Sequence, residues 1–555
     1  MKFPVPIVSV VGRGGSGRTT LLEGLIAELS GRGFQVATAK HHAHETDVDV
    51  PGKDTWRHAR AGAVITMVSA PNRLGSFRAV HRERTLDELS DLARDADILL
   101  TEGFGRVSPT RIEVVRAERS TQPLYAPLDL FALVTDVGSL KRSCSPVFAL
   151  DDYSGLADLI EDEFLRPHGK QGRTSSVYLD HAATSWPKPP RVMEAVSRSM
   201  ADLGGNPGRG AHSVAIVASR RIAQARRACA GYLGASQPQD LLFQPGCTAA
   251  CNLMLKGLLE PGDRVVVGSM EHNAVAMPLA QLASMGVEVV VVNADGTGLV
   301  DPGDMEKEVR ASPTRAVICQ HASNVTGTIQ MIGEMAEIAH ENDAVLLVDG
   351  AQAAGHVDVD LEALGVDAYA ASGHKGLLGP QGVGLLYLSP DLELREQIIG
   401  GTGAGDGSLQ MPRNRPDRYE AGTINSPGVM ALGAAAELLS EHGAEMMGHT
   451  RELTRLLQRG VMDLGFEVLG PGPDVPRVPL VSMTHRHMDA DRLASILDRD
   501  YGIAARAGLH CAPWAHETVG TLEGGALRVS VGWRTKKGEI ERFFSALETI
   551  LQKEG

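Results

Sequence analysis

The sequence predicts an α/β chain built in two independently folded parts, the second ending in a smaller α+β lobe. Strand-like apolar runs alternate with helical patterns from Ile7 to about Phe164, and the composition then shifts across residues 166–176, RPHGKQGRTSS. The same alternation restarts at Val177, and βα alternation of this kind builds a mostly parallel sheet covered by helices. At 555 residues the chain also exceeds one ordinary domain of about 100 to 200 residues, so more than one core is expected. The division that follows is residues 1–166, a linker at 167–176, a large domain at 177–427 and a small lobe at 428–555.

Hydrophobic residues at 43% and charged residues at 22% are those of a soluble globular protein, and 62 glycines point to many loops that approach ligands closely. A formal charge of −14 without a Lys/Arg block argues against nucleic acid, which needs a basic stripe to displace its counterions. The six cysteines, Cys144, Cys229, Cys247, Cys251, Cys319 and Cys511, are scattered and include no CxxC pair, so reduced thiols are expected. The opening MKFPVPIVSVVG runs at once into a glycine-rich turn and reads as a first strand, not as a secretion signal. No apolar run reaches the roughly 18 residues that a membrane span needs, and a cytoplasmic protein is expected.

Ile7 to Val11 makes the first strand, and LLEGLIAEL the first helix. Between them lie Gly12, Arg13, Gly14, Gly15, Ser16, Gly17, Arg18, Thr19 and Thr20. Strand, loop and helix in that order suit a phosphate: glycines let backbone N–H groups approach, the helix N-terminus adds partial positive charge, and Thr19 is placed to reach Mg2+. A glycine-rich turn without nucleotide is the plainer alternative. Arg18 stands where the P-loop pattern has Lys, and its guanidinium keeps the charge on a bulkier, planar group. Lys40, His41, His42 and His44, then Asp47 and Asp49, form a polar cluster open to a metal or an anion and equally readable as a solvated loop. Asp97 to Glu102 is a strand ending in a carboxylate, where a magnesium-linked acid would sit.

These motifs, GxxxSGxTTLLE, KHHAHETDVDVPGKDTWRHARAGA and LLTEGF, resemble the molybdopterin-guanine dinucleotide biosynthesis protein B (MobB) family over roughly residues 5–165. The resemblance implies a GTP-binding P-loop domain that assists molybdenum-cofactor maturation. Gly12, Gly14, Gly15, Ser16, Gly17, Arg18, Thr19, Thr20 and Glu102 would hold GTP, and Thr19 its Mg2+.

In the second part, buried-strand candidates run over Arg264–Val267, Glu288–Val292, Ala316–Cys319 and Ala344–Val348, with helical stretches between them. Gly246, Cys247 and Thr248 open a helix suited to a phosphate. Glu271, His272 and Asn273 follow a strand, where His272 either stacks on a flat ring or sits as a satisfied core histidine. Asn324 in SNVTG offers an amide. Asp349 and Gln352 lie at the carboxyl end of a strand, where open α/β sheets bind ligands. A carboxylate there holds a pyridine nitrogen protonated, which makes the ring an electron sink. Ser372, His374 and Lys375 follow another strand, with small residues around one lysine, so an aldehyde cofactor reaches the amine while Ser372 and His374 face its phosphate. A surface lysine is the alternative, and Asp349 weighs against it. Gly428 to His442 reads as a helix, and the remainder mixes helices with short strands. Within it, Cys511 lies in a polar loop with Arg506 and His510, unlike the usual buried, inert cysteine; His510 or cofactor charge would help supply thiolate.

Over residues 177–552 these pieces look like class V aminotransferases, since YLDHAATS, EHNA, DGAQ and SGHK all agree. The resemblance implies an aspartate-aminotransferase-like fold type I, a large α/β domain and a small lobe, with pyridoxal 5'-phosphate on Lys375. Asp349 would pair with the pyridinium, Gln352 and Asn324 would contact the ring hydroxyl, and His272 would stack as part of the catalytic set. Thr248, Ser372 and His374 would hold the phosphate beside Cys247, and in such homodimers the GlyThr pair, here Gly422 and Thr423, completes that site across the interface. The loop RAGLHCA is similar to the RxGxHCA loop of group II (SufS-type) cysteine desulfurases. It implies that Cys511 takes sulfur from L-cysteine as a persulfide, with Arg528, Arg506 and His510 at the substrate, for a sulfur-acceptor protein or a molybdenum-cofactor enzyme. Arg534 stands where relatives commonly carry Asn. The alternatives are a selenocysteine lyase, a cysteine sulfinate desulfinase, or a GTP-binding accessory protein with a vestigial second part.

Overall fold

Strand Ile7–Gly12 is apolar on both faces and buried over most of its length, as expected of an inner strand covered on two sides. It lies third in a six-stranded sheet ordered Val36–Lys40, Ile98–Glu102, Ile7–Gly12, Arg111–Val115, Ala132–Thr135 and Val147–Phe148, with every neighbouring pair parallel. Helix Arg18–Gly31 buries Leu21, Leu25 and Leu29 in the core, and helix Tyr153–Ile160 adds Leu156 and Ile160. This sheet belongs to the first of two units, Met1–Ser175 and Ser176–Gly555. The computed structural model describes all residues except 1–4, 42–48, 81, 106, 109, 127–128, 139, 141–145, 166–176, 203, 209, 211, 404–408 and 555. The expected linker at 167–176 therefore lies outside the described residues.

The second unit holds a seven-stranded sheet ordered Leu241–Gln244, Gly384–Leu388, Ala368–Ser372, Val345–Asp349, Ala316–Gln320, Arg264–Gly268 and Glu288–Val292. The last five are mutually parallel, and Gly384–Leu388 runs antiparallel to both of its neighbours. The four strands anticipated from apolar runs are all present, each within a residue of its expected ends. Their register pairs Gln320 with Asp349, and Asp349 with Ala370, so Asp349 and Ser372 finish at one carboxyl edge.

The helix expected at Gly428–His442 extends over 38 residues, Ser426–Asp463. Its glycines break the helical pattern in sequence, but in space two of them admit a neighbour. A Cβ on Gly433 would stand 2.5 Å from Ala225 Cβ of helix Ser213–Tyr232, and one on Gly460 would overlap the ring of Phe544. Beyond this helix a four-stranded antiparallel sheet runs Glu467–Leu469, Leu480–Thr484, Ala526–Ser530 and Arg506–Gly508. Val177–Tyr178 pairs with Ile503–Ala504, and Val177 and Leu179 are buried with Leu527 and Val529, so the opening residues of the unit are built into its C-terminal core. Among the described residues no helix is long and apolar enough to cross a membrane.

Candidate active site

A cavity of about 730 Å³ opens at the carboxyl edge of the seven-stranded sheet and brings Asp349, Lys375, His272 and Arg528 together. Strand Ala368–Ser372 carries Lys375 to it through a short turn. That turn is gripped at the His374 carbonyl, which accepts from Lys188 Nζ at 2.8 Å, Ser185 Oγ at 3.1 Å and Thr184 Oγ1 at 3.2 Å. Burial lowers the pKa of Lys375 against the opposing pull of Asp349, which favours an unprotonated amine. Asp349 Oδ1 accepts from Ala351 N at 2.9 Å and lies 3.4 Å from Cys247 Sγ.

Helix Cys247–Leu258 starts at the cavity, and no atom lies within 4 Å of where a Cβ on its N-cap Gly246 would stand. Thr248 and Ser372 line the same end. His374 Nδ1 is buried there without a partner, and burial followed by the nearby Lys375 charge depresses its pKa to about 4. His272 lines the cavity and caps helix Asn273–Ser284, its Nδ1 accepting from Ala274 N at 3.0 Å; burial lowers its pKa and keeps a neutral ring. The two amides expected at a ring hydroxyl also act as struts. Gln352 Nε2 donates to Ala182 O at 3.0 Å and Asn324 Nδ2 to His510 O at 2.7 Å, while Asn324 Oδ1 is buried without a partner.

Arg506 and Arg528 face each other directly across an antiparallel ladder, and both line the cavity. Arg528 is 1% exposed; it donates to Asn324 O and Asp180 Oδ1, each at 3.1 Å, and its Nε has no partner. Arg506 Nη2 lies 3.6 Å from Cys511 Sγ. His510 and Cys511 have φ of 51° and 58°, the left-handed region, which costs roughly 1–2 kcal/mol per non-glycine residue. The loop holds that shape because Asn324 grips the His510 carbonyl and Asn273 N donates to Cys511 O at 2.8 Å. Cys511 is exposed, whereas the other described cysteines are buried or half-buried.

His510 does not serve the thiol as expected. Its Nδ1 lies 3.2 Å from His516 Nε2 and its Nε2 lies 3.3 Å from the Arg506 carbonyl, so both ring nitrogens are engaged elsewhere. Burial, followed by the charge of Arg528, depresses its pKa to about 3, which leaves it uncharged near neutrality. The cation beside Sγ is Arg506. Asp180, Lys188 and His516 escaped the sequence reading; the first two stand in the YLDHAATSWPK segment, whose signal was present but had no assigned partner. Thr423 is exposed and does not line this chain's cavity, and Arg534 lies over the Trp533 ring at 5.5 Å.

A planar pyridine aldehyde with a phosphate fits these groups. Asp349 and Lys375 line one cavity, and the open Gly246 cradle lies at a helix N-terminus, which favours an anion. The orphaned polar atoms of His374, Asn324 and Arg528 are buried in residues that line the cavity.

In the first unit Glu102 is the centre of a second polar cluster. It accepts from Thr19 Oγ1 at 3.0 Å, with Lys40 Nζ at 3.3 Å and Arg18 Nη2 at 3.8 Å. Gly15 and Gly17 have φ of 74° and 93°, and a Cβ on Gly12 would press on the Val114 carbonyl; Gly14 is open, Thr20 exposed and Ser16 buried. His41 pairs with Glu83 at 2.7 Å and Asp49 accepts from Thr55, while His42, His44 and Asp47 lie outside the described residues.

The chain belongs to the class V aminotransferase family, whose description, Aminotransferase class-V, matches residues 177–543, and its first unit matches Molybdopterin guanine dinucleotide synthesis protein B over residues 7–136. A probable cysteine desulfurase of Methanothermobacter thermautotrophicus is 37% identical over 67% of this chain and 94% of its own length. One from Pseudomonas putida is 34% identical over 68% and 95%. Among solved structures, the apo cysteine desulfurase of Thermococcus onnurineus NA1 aligns with TM-score 0.65 and 29% identity over 68% of this chain and 95% of that one. The Escherichia coli cysteine desulfurase CsdA, crystallised as the S-sulfonic acid, aligns with TM-score 0.62 and 29% identity over 68% and 96%.

Proposed function

We propose that this pyridoxal-phosphate-dependent cysteine desulfurase is of the group II (SufS-like) kind, that Cys511 is its sulfur-accepting residue, and that its sulfur serves molybdenum-cofactor chemistry. The observation that carries the assignment of roles is the convergence of Lys375, Asp349 and Arg528 on one cavity, with the exposed Cys511 in a loop tied to its rim. When bound, pyridoxal phosphate supplies an aldehyde for amines and a ring that draws electrons from the substrate's Cα.

Lys375 would hold the cofactor and, once released as a free amine, would take the Cα proton. Arg528 binds the substrate carboxylate with its unengaged N–H groups, held in place by Asp180. Asp349 would keep the ring nitrogen protonated, His272 would cover the ring, and Gly246, Thr248, Ser372 and His374 would hold the phosphate. Cys511 Sγ, as a thiolate beside Arg506, attacks the substrate sulfur; the Cβ–S bond breaks, the carbon takes up a proton, and L-alanine leaves. The sulfur stays on Cys511 as a persulfide. No electron acceptor is needed, because the substrate carbon is reduced as the sulfur is oxidised.

The exposed Thr423 fits a phosphate site shared across a homodimer. In the first unit, Glu102, Thr19 and the glycine loop support GTP binding with Mg2+, and covalent linkage raises the effective concentration of one activity for the other. Cys511→Ala tests the central assignment: cofactor absorbance should persist while alanine formation from L-cysteine falls on the order of 100-fold or more. Undiminished turnover would refute it.

A further inference from the structure

Cys247 and Cys251 lie one turn apart on helix Cys247–Leu258, with their Sγ atoms 3.9 Å apart. Cys247 Sγ is 3.4 Å from Asp349 Oδ1, and the ligand atoms of all three residues lie within 4.8 Å of one another. Zn2+ binds sulfur at about 2.3 Å and carboxylate oxygen at about 2.0–2.2 Å; a tetrahedral ion therefore separates two sulfurs by about 3.8 Å, and sulfur from oxygen by about 3.5 Å. Cys247 Sγ already stands close to these separations from both Cys251 Sγ and Asp349 Oδ1, and Cys251 Sγ lies within 4.8 Å of the carboxylate. Among the described residues this is the one group of three such donors whose ligand atoms lie within 4.8 Å of one another. Its thiol pair is the soft kind that selects zinc-class ions over magnesium or calcium, and Cys247 lines the cavity, which leaves a route for entry and a position for a fourth ligand.

We propose that the cofactor-free protein binds one thiophilic divalent cation, of the Zn2+ class, through Cys247 Sγ, Cys251 Sγ and Asp349. Two S–H bonds break and two metal–sulfur bonds form; both protons go to solvent, the carboxylate binds as its anion, and no electron is transferred. Asp349 is also the residue assigned above to the cofactor's ring nitrogen. Metal and cofactor therefore exclude each other, and a metal-loaded chain takes up cofactor only after the ion leaves. The exclusion rests on that assignment, whereas the donor set does not.

The test uses the full chain stripped of cofactor, in wild-type form and as Cys511→Ser, Cys247→Ser and Cys251→Ala, each checked for folding by circular dichroism and thermal melting. Bound zinc is measured after dialysis against ZnCl2. The wild type and Cys511→Ser should hold one equivalent of zinc that Cys247→Ser and Cys251→Ala lose or bind at least tenfold more weakly. Adding pyridoxal phosphate to the zinc-loaded wild type should release that equivalent as cofactor absorbance rises. Equal zinc in every folded variant, or no zinc in the wild type, overturns the site and makes the thiol pair a hydrogen-bonded contact only. Zinc that depends on both cysteines yet stays bound as the cofactor enters supports the site and overturns the assignment of Asp349 to the ring nitrogen.

Discussion

Arg506 and Arg528 occupy opposite positions on one ladder, an arrangement that destabilises a sheet unless other charges compensate. Asp180 neutralises Arg528, and the remaining positive charge faces the cavity and Cys511 Sγ. Two cations held this way suit a substrate carboxylate and a thiolate, and each role is separable by substitution. Arg506→Gln removes the guanidinium 3.6 Å from the sulfur and should slow alkylation of the exposed Cys511 by iodoacetamide roughly threefold to tenfold at neutral pH. An unchanged alkylation rate would mean that the guanidinium does not act on the thiol. The sequence marked Arg506, His510 and Cys511 as one group and offered His510 or cofactor charge, not Arg506, as the help to the thiolate. His510 is drawn away from that role by His516, which engages it from six residues further along the chain.

At the scale of elements, the long helix Ser426–Asp463 separates two uses of glycine that look alike in sequence. Gly448 has no atom within 4 Å of an added Cβ, so Gly448→Ala should gain about 1 kcal/mol of helix propensity. Gly433 meets the Cβ and Cα of Ala225 at 2.5 and 2.6 Å, and the overpacking cost of about 1–3 kcal/mol should exceed the same gain. Thermal melting of the two variants should therefore shift in opposite directions, upward for Gly448→Ala and downward for Gly433→Ala. The apolar pattern foretold only the first part of the helix; beyond His442, Gly460 interrupts the pattern in sequence but packs against the Phe544 ring in space. The strands were more legible, because an inner parallel strand must be a continuous apolar run.

Across the second unit as a whole, burial leaves many imidazoles uncharged. His181, His321, His356, His374 and His516 have pKa values depressed to about 4, and His510 to about 3, mainly by burial. In the unfolded chain each would titrate near 6.5. Above that value both states are neutral and the groups contribute no pH dependence. As pH falls below it, the unfolded chain binds protons that the fold refuses, so stability is lost progressively between about pH 6.5 and about pH 4. Glu271, whose pKa burial raises, acts in the opposite sense but is a single group. Denaturant unfolding followed across this range should show a falling midpoint, and His321→Gln, which removes one of the six, should make the fall shallower. A midpoint constant between pH 6.5 and 4 would contradict the burial of these rings.

What the sequence determined by itself was chemistry that is local in the chain: the strand–loop–helix at the N-terminus, the apolar strands, and the segments bearing Asp349, Lys375 and Cys511. Each depends on neighbours a few residues away, so its signal survives in one dimension. Tertiary structure alone decided the pairings across long stretches of chain, including Asp180 with Arg528, Asn324 with the Cys511 loop, and Cys247 with Asp349. Distances of that kind are set by how sheets and helices stack, and no local pattern of residues displays them.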